Sequence, residues 1–277
     1  MNDTSFDFEK AIDFVRKKTK DVEKYKLHFI LDEKEEAKSM LKEQLQMQNE
    51  DGGIPYRFQQ GAISTIGSTI MFFKDLLLLN LHEHISEELD RAVNFLIGQQ
   101  KEDGLFEEPP EINKLECAMW ESTGFESNQI YCTAITINFL LGSKKSQAED
   151  SINKGMEFLL KKWDDEKGFR SYPHAIWNSI PVFISKKSEN DPISVRGREL
   201  LNTLQLQNYP SSSLVWMIES FIHSGLERHN LVEKLLQIIL PRQMGDGRWA
   251  SEDGEEFDPL TTLSVLVVLK RLNLLSR

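Results

Sequence analysis

The segment Gln243-Met244-Gly245-Asp246-Gly247-Arg248-Trp249 joins two apolar runs near the end of the chain, and versions of it recur upstream. Residues 41–56 read LKEQLQMQNEDGGIPY and residues 91–106 read RAVNFLIGQQKEDGLF. Residues 154–170 read KGMEFLLKKWDDEKGFR, with Trp163 where the glutamine would fall, and 200–210 read LLNTLQLQNYP, without the glycine. A repeat at this spacing constrains the fold strongly, because each unit must bury its apolar face against its neighbours. Each copy closes a segment with apolar residues at helical spacing. Each leads into a second apolar segment, at 61–79, 129–141, 174–184, 214–223 and 259–272.

The two sets differ in a way that fixes their places. The first set is amphipathic, with Glu and Lys on one face; the second is more apolar and nearly free of charge. Helical hairpins built like this stack into a double ring, with charge-poor helices inside and amphipathic helices facing water. The spacing predicts about five hairpins, and a first helix near Phe6–Lys26 that supplies a sixth inner element. With strand signals sparse, the expected architecture is an all-α single domain over 1–277, an α/α toroid whose residues 1–30 form an N-terminal helix. At each junction, glycine accepts positive φ, the glutamine amide satisfies backbone groups at neighbouring helix ends, and the aromatic side chain covers them. Gln48, Gln100, Gln243, Phe106 and Trp249 therefore read as structural staples.

Composition narrows the function classes. The net charge of −11 has no basic block, which argues against a nucleic-acid partner. The charged N-terminus is no signal peptide, and the longest apolar runs are too short to span a bilayer. Two cysteines, Cys117 and Cys132, form no disulfide framework and read as reduced thiols in a cytoplasmic protein, with peripheral membrane contact left open. Cys117, Cys132 and His174 match no familiar ligand spacing, so neither a metal nor a cofactor is expected.

The junctions resemble the QW motif. Arg91-Ala92, Phe95-Leu96, Gln100 and Gly104-Leu105-Phe106 fit it with Phe for Trp, and Ile239, Gln243 and Gly247-Arg248-Trp249 fit its second half. Over about residues 33–272 the chain thus resembles the superfamily of squalene-hopene-type terpene cyclases and protein prenyltransferase β-subunits. That resemblance implies the toroid and an isoprenoid or similar lipid-like substrate in a central hydrophobic cavity. The prenyltransferase zinc ligands are replaced: Ser211, Ser213 and Thr261 stand where the family carries Asp, Cys and His, although Pro210, Trp216, Asp258, Pro259 and Thr262 stay in register. Neutral hydroxyls are poor zinc ligands, so thiol prenylation is not expected. The cyclase motif Asp-x-Asp-Asp is also absent; its nearest equivalent is Glu256-Phe257-Asp258-Pro259. On that alignment Asp258 would be the proton donor for acid-initiated cyclisation, with Glu256 as its carboxylate neighbour. The bland alternative is that Asp258 N-caps the last helix ahead of Pro259.

The charge-poor helices also supply candidate substrate contacts. Trp216, Trp177, Tyr131, Phe72, Phe73 and Phe183 are their large side chains, and aromatic faces stabilise cations. Glu219 and His223, four apart on one helical face, read either as a buried hydrogen-bonded pair at the cavity or as side chains facing its rim, and His174 begins an inner segment. Residues 105–127, acidic and containing Pro109-Pro110 and Trp120, form the longest link and are expected to cap the cavity. Deleting 108–122 is then expected to change ligand affinity while the fold survives. The reading that follows is a terpene-cyclase-like enzyme working by acid-initiated cyclisation; the alternatives are a non-catalytic toroid that binds a hydrophobic ligand or a protein after losing both sites, and a carbohydrate enzyme using Asp258 with Glu219. The uncharged aromatic lining argues against sugars.

Overall fold

Two kinds of helix alternate along the chain, and their burial separates them. The computed structural model describes residues 6–275, apart from the side chains of residues 21 and 22; the ends of the expected 1–277 domain lie outside the described residues. The protein is all-α. The amphipathic helices are α1 (Phe8–Lys18), α3 (Lys34–Leu45), α5 (Ser86–Gln99), α7 (Glu149–Lys162), α9 (Pro192–Thr203) and α11 (Asn230–Ile239). The charge-poor ones are α4 (Ile66–Leu78), α6 (Glu126–Ser143), α8 (Pro173–Lys186), α10 (Ser211–His223) and α12 (Asp258–Arg271), and α2 (Asp21–Ile30) takes a place beside them although it carries Asp21, Glu23, Lys24 and Lys26. A two-residue ribbon, β1 (Ile54–Pro55) against β2 (Ser64–Thr65), links α3 to α4 in antiparallel register.

The charge-poor helices touch in the order α4–α6–α8–α10–α12, α12 packs on both α2 and α4, and the Lys26–Asp75 ion pair ties α2 to α4. This order agrees with the α/α toroid. Helix α10 also packs on α4 and α6, across the ring, so side chains fill its interior at that level. The N-terminal reading needs correction. Instead of one helix there are two, since the chain turns extended at Thr19 and Lys20. The basic turn Arg16-Lys17-Lys18 closes α1 where cations favour a helix end.

Three of the five repeated junctions are copies of one hydrogen-bond device. Gln48 Nε2 donates to the carbonyls of Gly52 (2.7 Å) and Glu88 (2.8 Å). Gln100 Nε2 donates to Gly104 (3.1 Å) and Ser151 (2.8 Å). Gln243 Nε2 donates to Gly247 (3.0 Å) and Asp7 (2.9 Å), while its Oε1 accepts from the Asp7 amide (2.6 Å). Each glutamine thus fastens its own turn to the start of the next amphipathic helix, and the last copy joins the end of the chain to its beginning. Phe6 packs on Trp249 at 6.1 Å in the same clasp.

A threonine on the following inner helix completes each copy. Thr69, Thr133 and Thr262 Oγ1 accept from the backbone amides of Ile54 (2.9 Å), Phe106 (2.9 Å) and Trp249 (3.0 Å). The residue two past each clasp glycine is thereby pinned to the inner ring, and Ile54, Phe106 and Trp249 are fully buried. Where the copies are incomplete, at Trp163 in place of the glutamine and at 200–210 without the glycine, the outer ring gapes. A crevice of about 350 Å³ lies between α7 and α9 beside Trp163 and Ile193, and one of about 180 Å³ between α9 and α11 beside Arg198 and His229.

Candidate functional site

Helix α8 begins at Pro173, whose missing N–H suits the first turn, and places His174 and Trp177 one turn apart on one face. Helix α10 begins just after Pro210 and brings Trp216 beside them; α6 contributes Tyr131. The ring of His174 lies 4.3 Å from that of Trp177 and 4.9 Å from that of Trp216. Tyr131 stands edge-on to His174 (6.1 Å), Trp216 (6.5 Å) and Tyr172 (5.8 Å). Four of the candidate residues therefore meet in one aromatic cluster. Tyr131, His174 and Trp216 are partly exposed, whereas Trp177 is fully buried. Burial lowers the His174 pKa to about 4, so its ring is neutral at neutral pH.

Beneath Trp216 the interior is charged rather than apolar. Lys74 Nζ lies 5.6 Å from the Trp216 ring centre and 2.6 Å from Glu219, whose side chain is 1% exposed. Burial alone would lower the Lys74 pKa, but Glu219 and Asp75 outweigh it and raise it. Burial lifts the Glu219 carboxyl above its usual range, and Lys74 offsets part of that. A second pair, Lys26 with Asp75 at 2.7 Å, lies alongside, with Glu23 also on Lys26. Glu219 is thus paired with Lys74 and not with His223, whose Nε2 has no hydrogen-bond partner. Burial drives the His223 pKa down to about 3, so this imidazole too is neutral.

Phe72 and Phe73 do not join the cluster. They pack on each other at 5.0 Å, and Phe72 also meets Phe58. The reason is helical phase: Gly67, Met71 and Lys74 share one face of α4, and positions 72 and 73 fall on the opposite side. Met71, one turn before Lys74, is 53% exposed.

Asp258 is held by the 248–251 turn. It is the first residue of α12 rather than its N-cap, with Phe257 in the cap position. Its carboxylate accepts from the Ser251 amide (2.7 Å) and lies 3.3 Å from Arg248 Nε. Glu256 is exposed, so the carboxylate neighbour that could share a proton with Asp258 is replaced by a guanidinium.

The 105–127 link is strapped down. Glu108 accepts from the amides of Ile66 and Gly67, both at 2.7 Å, and so caps α4. Tyr56 donates to Glu121 at 2.8 Å, and Asn128 Nδ2 donates to the carbonyls of Met119 (2.8 Å) and Ser122 (2.7 Å). Deleting 108–122 would therefore remove the Glu108 carboxylate that caps α4. Burial raises the Glu108 pKa to about 7, against the lowering effect of its two backbone donors. A raised folded-state carboxyl pKa contributes stability that is complete below its unfolded value near 4.5 and is lost as pH rises through about 7. Glu108→Gln is expected to flatten the pH dependence of chemical-denaturation stability between those limits, relative to wild type.

Among the described residues no helix is long and apolar enough to cross a membrane. No protein-family model matches the sequence, and no curated protein matches it.

Proposed function

We propose that the protein is a non-catalytic toroid that binds an apolar, isoprenoid-like molecule where the inner helices begin, against Tyr131, His174 and Trp216. The observation that supports this reading best is the convergence of three partly exposed aromatic rings with the Lys74–Glu219 pair directly below them. Aromatic faces give apolar contact area at low entropic cost. The buried ion pair closes the floor to deeper entry. The lost zinc ligands and the incomplete acid motif fit a binder.

The rival reading is acid-initiated cyclisation with Asp258 as donor. The cation-stabilising faces of Trp216 and Tyr131 favour it, and the exposure of Glu256, the carboxylate neighbour that the acid motif would need, counts against it. Incubation with prenyl diphosphates and squalene, followed by mass spectrometry, is expected to return each compound bound and unchanged. A cyclised product whose formation stops in Asp258→Asn would establish the enzyme instead. In the binding reading the same Asp258→Asn variant keeps wild-type ligand affinity, because Asp258 only fastens the 248–251 turn.

A further inference from the structure

Within the aromatic cluster, the Trp177 indole N–H has no hydrogen-bond partner although its side chain is fully buried. An unpaired buried donor costs stability and invites an acceptor. His174 stands one turn away with its ring centre 4.3 Å from that of Trp177. We infer that the molecule held at this cluster carries a hydroxyl group, seated between Trp177 Nε1 and a ring nitrogen of His174. This inference rests on the binding function proposed above and names the ligand class for that site.

The donor and acceptor pattern selects the group. A neutral imidazole offers one acceptor nitrogen, and the indole offers only a donor. A hydroxyl satisfies both at once, since it accepts and donates. A hydrocarbon leaves the indole unpaired. An ammonium group has no lone pair for it. An anionic head would face Asp253, whose charge acts on His174, and Glu252, which is bonded to Ser213 at 2.7 Å at the start of α10. Lys74, 5.6 Å from the Trp216 ring centre, is already engaged by Glu219. The low His174 pKa supports the assignment, because the ring keeps its acceptor throughout the neutral range.

Three probes separate the possibilities: farnesol, its methyl ether, which only accepts, and the hydrocarbon farnesene. Equilibrium dialysis should give affinities in the order farnesol, ether, farnesene, with farnesol about tenfold or more tighter than farnesene. His174→Phe should erase the difference between alcohol and ether, and Trp177→Phe the difference between ether and hydrocarbon. Because His174 is only partly buried, its variant keeps the test decisive if Trp177→Phe fails to fold. Equal affinity for all three probes would overturn the hydroxyl assignment and leave the binding function standing. No binding of any probe would overturn both.

Discussion

Gly247→Ala is expected to destabilise the protein by about 3 kcal/mol or more, whereas Gly225→Ala costs about 1 kcal/mol. Both glycines have positive φ, 97° and 74°. They differ in what surrounds them. A Cβ on Gly247 would lie 2.3 Å from the carbonyl carbon and oxygen of Lys10, whereas nothing lies within 4 Å of one on Gly225. Gly225→Ala therefore isolates the conformational penalty, and the excess at Gly247 measures the close approach of the last clasp to α1. Backbone cannot yield as a flexible side chain can, so relief requires the Gln243–Asp7 bonds to open. Urea denaturation of the two variants reads the difference. Similar losses would mean that the ends of the chain are not pressed together as described. A Cβ on Gly104 would lie 2.2 Å from the carbonyl oxygen of Lys154, so Gly104→Ala should behave like Gly247→Ala.

Lys74→Met is expected to cost about 3–5 kcal/mol, because it leaves the Glu219 carboxylate buried and unpaired. Removing both partners is different. Lys74→Met combined with Glu219→Leu takes away the desolvation cost along with the attraction, and should return stability to within about 1 kcal/mol of wild type or above it. The single and double variants form a cycle whose coupling energy reports the pair directly. The single change also has a pH signature: the orphaned Glu219 would hold a proton more readily, so Lys74→Met recovers part of its loss as pH falls. Additive losses in the double variant would show that the two groups are not in contact.

The ring was legible in the sequence because its fastening is local. Gln, Gly and a following large apolar residue recur at fixed offsets, and the bonds of Gln48, Gln100 and Gln243 explain why those residue types recur. The threonines that complete the device are not visible at fixed spacing, since the loops between clasp and inner helix differ in length. The break at Thr19 was also hidden, as neither glycine nor proline marks it. At the candidate site, Tyr131, His174, Trp177 and Trp216 share the starts of neighbouring helices, which helical spacing could place. Lys74 and Asp75 went unread because two charges in an apolar stretch look like an isolated exception. Only the fold shows that Lys74 meets Glu219, which is 145 positions away. Phe72 and Phe73 belonged to the right helix and the wrong face, and phase cannot be set without knowing which neighbour a helix turns toward.

Hydrogen exchange with and without farnesol tests the central claim most directly. Ligand bound at the aromatic cluster should slow exchange in the opening turns of α6, α8 and α10, around Tyr131, His174 and Trp216, and leave α9 and α11 unchanged. Protection confined to the crevices flanking α9, or absent from all three opening turns at saturating ligand, would contradict it.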